Sequence, residues 1–197
     1  MSGPAVNGSI RDATTAADIA SARTLFAEYA ASLGVDLAFQ DFESELAGLP
    51  GEYAPPRGCL LLLRRDAANA ANTAGVTTAA EAIGCRRQVQ TFDAGCVALR
   101  PIGAHTAELK RLYLRAEARR GGWGRRLALA AIERARSLGY REIKLDTLAT
   151  MAAAQTLYAS LGFVPCAPYY RNPLPGTVYL ALVLGAGRRI ATREARG

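Results

Sequence analysis

The sequence predicts an α/β domain built on a mixed β-sheet. Two observations carry that expectation. Short apolar runs bounded by turn residues cluster in the first part of the chain, as strands do, at Cys59–Arg64, Gly95–Pro101 and Thr106–Leu114. Segments with helical apolar spacing, each closed by a glycine, punctuate the remainder. The repeated strand–helix units of a doubly wound fold are missing.

From the N-terminus, residues 1–9 are small and polar and read as a disordered tail. A single domain is expected over 10–185, followed by a basic tail at 186–197. Ile10-Arg11 can begin an edge strand. Thr14 or Thr15 can cap a helix over Ala16–Leu33, whose Ile19, Ala22, Phe26 and Ala30 recur at helical spacing, with Gly34 as its stop. A second helix is expected over Phe39–Leu49, then a turn at Pro55-Pro56-Arg57-Gly58. Residues 66–93 begin with the low-complexity run Ala67–Gly75, show no period, and read as a long mobile insertion between two strands.

Within Thr106–Leu114 the apolar phase slips. Leu109 fits one face, whereas Leu112 and Leu114 fit the other, as an extra β-bulge residue would leave them. A helix to about Leu138 follows, with Leu127, Ala131, Ala135 and Leu138 as its stripe. A strand over Arg141–Asp146, a helix over Met151–Leu161 and strands at Phe163-Val164 and Val178–Leu184 complete the order.

Half of the 197 residues are hydrophobic, enough for one core. No apolar run approaches the roughly 18–20 residues that cross a bilayer, and the N-terminus carries no signal peptide, so a cytoplasmic protein without membrane contact is expected. Cys59, Cys85, Cys96 and Cys166 form no C-x-x-C pair and His105 is the only histidine, which gives a metal site no ligand spacing. The net charge of +7 is concentrated between Glu108 and Arg126. That concentration suits a polyanion, either a nucleic acid or a phosphorylated cofactor. No helix-turn-helix, zinc finger or aromatic RNA-binding motif accompanies it, so no nucleic acid is expected as a partner.

The chemistry concentrates in Arg119-Arg120-Gly121-Gly122-Trp123-Gly124, between a strand and a helix. Glycines let the backbone approach a ligand closely, and a helix start offers free N–H groups and the positive end of a dipole. With Arg125 and Arg126 adjoining, the parts of a pyrophosphate cradle are in place. A Walker A loop would need G-K-[ST] where Arg125-Arg126 stands, and a dinucleotide fingerprint would need glycine at Leu127. A basic Gly-rich turn without a ligand is the structural alternative.

The loop matches R-x-x-G-x-G, and Leu157-Tyr158-Ala-Ser-Leu-Gly162-Phe163 downstream matches L-Y-x-x-x-G-F. Together, one helix, one strand and one helix apart, they resemble the acetyl-CoA half of GNAT-type N-acetyltransferases. Close resemblance covers Thr106–Val164, and element order fits from Ile10 to Leu184. It implies a mostly antiparallel mixed sheet flanked by helices, with two parallel strands splayed apart at the cofactor. Many members carry Asn where this chain has Met151, so a contact of that Asn is lost or replaced. Loss of catalysis, leaving an acetyl-CoA sensor or scaffold, is therefore an open alternative, as is a nucleic-acid-binding role for the basic clusters.

The resemblance implies direct attack of an amine on acetyl-CoA, without a metal, in a monomer or homodimer; a longer acyl donor is left open. Pantetheine contacts fall on the backbone of Leu112 and Leu114. Pyrophosphate contacts fall on Arg119, Arg120, Gly121, Gly122, Trp123, Gly124 and Arg125. Tyr158 is the implied general acid. Glu108 is the candidate base, with a glutamate salt-bridged to a nearby arginine as the competing reading. Tyr29, Phe39, Tyr53, Tyr170 and Arg171 are candidate walls for a small-molecule or peptide amine.

Overall fold

A computed structural model describes residues 8–35, 41–66, 90–119 and 121–185. In chain order the elements are β1 (Gly8–Asp12), α1 (Ala16–Leu33), α2 (Phe42–Gly48), β2 (Cys59–Asp66), β3 (Thr91–Pro101), β4 (Thr106–Leu114), α3 (Trp123–Ser137), β5 (Glu142–Leu148), α4 (Ala152–Ser160), β6 (Val164–Pro165) and β7 (Thr177–Val183). Short 3-10 turns occupy Gly51–Tyr53 and Ala116–Ala118. No helix among the described residues is long and apolar enough to cross a membrane.

The seven strands form one sheet in the order β1-β2-β3-β4-β5-β7-β6. Every pairing is antiparallel except β4–β5. The expected mixed, mostly antiparallel sheet is what the chain builds. Strand β2 explains why the centre holds. Its side chains alternate between two cores, with Leu61 and Leu63 on the face covered by α3, and Leu60 and Leu62 on the face covered by α1. A continuous apolar run is what a strand covered on both faces requires. Leu62 and Leu63 are fully buried, and each such side chain contributes about 1.5–3 kcal/mol.

The segment expected as a long insertion is shorter than its sequence limits. Strand pairing extends to Asp66 opposite Thr91, and Asp93 is a buried residue of β3. Residues 67–89 lie outside the described residues, as do the tails 1–7 and 186–197 and the thiol of Cys85. Cys59 and Cys96 are buried free thiols.

Helix α1 begins with a capping box. The Thr15 hydroxyl accepts the Asp18 amide at 3.2 Å, and the Asp18 carboxylate accepts the Thr15 amide at 3.0 Å. Gly34 closes the helix in the left-handed conformation, φ 64°. The Asp18 carboxylate also pairs with Arg11 of β1, which in turn reaches Asp93 of β3 at 3.2 Å. The Thr15 amide is the largest influence holding the Asp18 carboxyl well below the usual range; burial opposes it, and Arg11 and the Thr14 amide add to it.

A depressed native pKa stabilises the fold above the unfolded value, about 3.9 for aspartate, and that stabilisation is lost as pH falls. Asp18→Asn should therefore cost about 1 kcal/mol or more at neutral pH, the scale of a lost cap. Urea melts of both proteins should show the gap closing progressively below about pH 4. A gap independent of pH would remove the carboxylate from this role.

Candidate functional site

The site is built around one extra residue in β4. Opposite β3, Cys96 faces Tyr113 while Ala98 faces Lys110, so Val97 is opposed by both Arg111 and Leu112. Arg111 is the bulged residue, at φ 57°. The left-handed region costs an L-residue roughly 1–2 kcal/mol. The bulge resets the alternation: Ala107 and Leu109 face the α3 side, and so do Leu112 and Leu114. The phase slip in the sequence is this bulge.

Several contacts hold Arg111 there. Its guanidinium donates to Glu45 of α2 at 3.0 and 2.5 Å and lies 5.0 Å from the Phe42 ring centre and 5.8 Å from that of Tyr29. The Tyr53 hydroxyl donates to Glu45 at 2.6 Å. Burial alone would raise the Glu45 pKa, yet the Arg111 guanidinium holds it below the ordinary range. The Cys96 thiol donates to the Arg111 carbonyl at 3.3 Å. The Arg111–Leu112 peptide is trans, so its N–H points opposite its C=O. With the carbonyl turned to Cys96 on β3, the Leu112 N–H points away from β3.

Strand β5 lies on that side, but only the beginning of it pairs. The parallel ladder joins Thr106, Ala107 and Glu108 to Glu142, Ile143 and Lys144 and then ends. From Leu109 to Leu114 the β5-facing edge of β4 has no strand partner among the described residues. A cleft of about 690 Å³, open mouth included, opens at this divergence. It passes through the sheet. Leu109, Leu112, Ala154 and Tyr158, which belong to the α3–α4 core, line it on one side, and Tyr29 of α1, Arg111, which reaches Glu45 of α2, and Asp146, which alternates with core residue Leu145, line it on the other.

Tyr158 projects from α4 and packs edge-on against Phe163, ring centres 5.5 Å apart. Its hydroxyl has no hydrogen-bond partner among the described residues. Burial raises its pKa, reinforced by Tyr29 and the Asp146 charge, so the group stays protonated. Met151 precedes α4, lines the cleft, and accepts the Thr147 hydroxyl at 3.6 Å through sulfur.

The Gly-rich loop runs into α3 beside this cleft. Gly121 and Gly122 take φ 90° and 76°, which glycine adopts without strain, and Gly122 is the N-cap. A side chain built on Gly122 would enter open space. The first helical bond runs from the Arg126 amide to the Gly122 carbonyl at 3.1 Å, which leaves the first-turn amides directed outward. Arg119 donates to the Leu114 carbonyl at 3.1 Å, and Arg125 to the Ser160 hydroxyl at 2.8 Å, tying α3 to α4. Trp123 is buried against Gly8, with Arg126 stacked at 4.5 Å, so its side chain is turned into the core. Arg120 lies outside the described residues.

The other expected residues separate. Glu108 is 1% exposed; its two oxygens accept Arg100 at 2.7 Å and the Tyr169 hydroxyl at 2.8 Å. It lines a neighbouring hollow with Lys144 and Tyr170, not the through-sheet cleft. The ion pair with Arg100 is the contact that the competing reading of Glu108 expected. Tyr29 lines the cleft, whereas Tyr53 lies behind Glu45 in a hollow of its own. Arg171 is exposed and its neighbour Asn172 reaches the cleft, donating to Asp146 at 3.2 Å and to the Tyr170 hydroxyl at 3.0 Å. Phe39 lies outside the described residues. Sequence spacing alone does not mark Asp146, which lines the cleft, or Glu45, which binds Arg111. For Asp146 the available signal was an acidic residue ending a strand that borders the gap; for Glu45 no local pattern points to a partner 66 residues away.

Residues 93–163 match the family model of the Acetyltransferase (GNAT) family. An uncharacterised N-acetyltransferase of Schizosaccharomyces pombe is 36% identical over 166 residues, covering 84% of this chain and 88% of the relative. One of Dictyostelium discoideum is 25% identical, covering 77% and 87%. Among solved structures, an acetyltransferase from Streptococcus agalactiae superposes with a TM-score of 0.63 at 17% identity, covering 90% of this chain and 98% of that one. The protein yncA from Salmonella typhimurium, solved with its cofactor acetyl-CoA, gives 0.58 at 18% identity, covering 96% and 99%. At these identities the structural likenesses speak for the fold.

The loop geometry makes one expectation testable. Gly122→Asp puts a carboxylate where the outward amides favour an anion, and aspartate tolerates positive φ better than most residues. Calorimetry should show coenzyme A affinity falling by about 100-fold or more in a folded protein. Unchanged affinity would show that the anion lies elsewhere.

Proposed function

The chain belongs to the GNAT acetyltransferase family and is an acyl-CoA N-acyltransferase, and from that premise we propose that it acetylates a primary amine of a small molecule or peptide by direct attack on acetyl-CoA. The observation that carries this reading is the cleft through the sheet, which joins the Gly-rich loop face to a polar chamber under α1. Acetyl-CoA supplies the activated thioester. The residues present suit it: outward amides and open space at Gly122 for the pyrophosphate, and an unpaired strand edge for the pantetheine arm.

The Leu112 N–H, aimed away from β3, donates to the thioester carbonyl as charge develops on its oxygen. Asp146 takes the proton that the amine must lose. It faces the cleft from β5, and Asn172 and Tyr170 orient it through neutral hydrogen bonds. Glu108, with both oxygens committed and outside the cleft, instead fixes Arg100 and Tyr169. Tyr158 stays protonated and donates to the departing sulfur. The acceptor enters past Tyr29 and Asn172.

Thiol release with acetyl-CoA across amines, amino acids and peptides tests the activity; acetyl-CoA binding without release on any acceptor would favour a sensor. With an acceptor in hand, Tyr158→Phe and Asp146→Asn should each lower kcat by about 10²-fold and leave acetyl-CoA affinity within a few-fold. Tyr158→Phe with unaltered kcat under rate-limiting chemistry would return Tyr158 to a packing role. A loss in Glu108→Gln with none in Asp146→Asn would give the base role to Glu108.

A further inference from the structure

We infer that Glu45 and Arg111 are positioning residues: their ion pair, reaching from α2 across the sheet face, sets the bulge that aims the Leu112 N–H into the cleft. The inference rests on the reading of that cleft as the acyl-transfer site. Left-handed backbone favours glycine, yet this position carries arginine. The conformation must therefore be held by what the side chain touches. Those contacts are a bidentate pair with Glu45 and the faces of Phe42 and Tyr29, with the two side chains only 3% and 15% exposed.

Arg111 and Leu112 share a rigid peptide plane, so any rotation of Arg111 turns the Leu112 N–H with it. Cys96 holds the carbonyl end of that plane and Glu45 holds the side chain. Among the described residues, neither group touches the Gly-rich loop. The device therefore predicts a separation between two parts of one ligand: the nucleotide end, read by the loop, and the acetyl end, read by the bulge. A role in stability alone would not separate them.

Calorimetry on the full chain with acetyl-CoA and with adenosine 3′,5′-bisphosphate reads this directly. Glu45→Gln removes the charge and keeps the shape. Arg111→Gly removes the anchor and keeps a backbone compatible with positive φ. In each variant acetyl-CoA should bind roughly 10-fold more weakly, while the bisphosphate changes less than about 2-fold. The double variant should be no worse than the worse single one. Retained bisphosphate binding also reports a folded protein. Equal weakening of both ligands, or of neither, would overturn the positioning role. Wild-type protein that binds the bisphosphate and acetyl-CoA equally would instead overturn the reading of the cleft.

Discussion

A left-handed arginine in the middle of a buried strand is the constraint on which the rest of this protein turns. Without the extra residue, β4 would continue its antiparallel register with β3 and could follow β5 beyond Glu108. With it, the ladder to β5 ends after three pairs and a cleft opens through the sheet. The same residue turns a peptide carbonyl toward Cys96 and so turns the next amide away from β3. One local departure from regular pairing thus supplies both the space and a donor directed into it.

The two faces of the sheet divide the remaining work. The α3–α4 face carries the glycine turn, the helix start and Tyr158. The Arg125–Ser160 contact keeps the two helices of that face together. The α1–α2 face carries the polar chamber, and its helices are tied by charged pairs to β4 and to the residue that follows it. Glu28 binds Arg115 at 2.9 and 2.7 Å beyond the bulge, and Glu45 binds Arg111 at the bulge itself. Partly buried bidentate pairs of this kind hold direction better than exposed ones. Polar residues in the interior are thereby spent on aiming the backbone at the place where β4 and β5 separate.

Much of this was legible in the sequence because the relevant signals are local. Ala16–Leu33 matched the helix limits because a cap, an apolar stripe and a glycine stop all lie within it. The bulge was legible because a change of alternation phase is visible over nine residues. The glycine turn and the L-Y-x-x-x-G-F segment were legible as motifs. What escaped depends on tertiary distance. The partners of Glu108, Arg100 and Tyr169, stand 8 and 61 residues away and meet it only in the folded sheet. Asp146 comes to the cleft only because the strands diverge, and Glu45 meets Arg111 only because α2 packs over the bulge. In the 169–173 segment, Arg171 carries the conspicuous charge, but the chain direction turns Asn172 to the cleft. The strand ends at Asp66 and Thr91 were missed because the low-complexity run beside them masks the period of the strands.

Amide hydrogen exchange with and without coenzyme A tests the account most directly, because the central claim concerns main-chain groups. The predicted result is protection confined to two separated stretches, Leu112–Leu114 on the unpaired edge of β4 and Gly121–Arg125 at the start of α3. The distant β1–β2 edge should be unchanged. Protection at the loop without any at the β4 edge would contradict the claim that the bulge opens the sheet to receive the ligand.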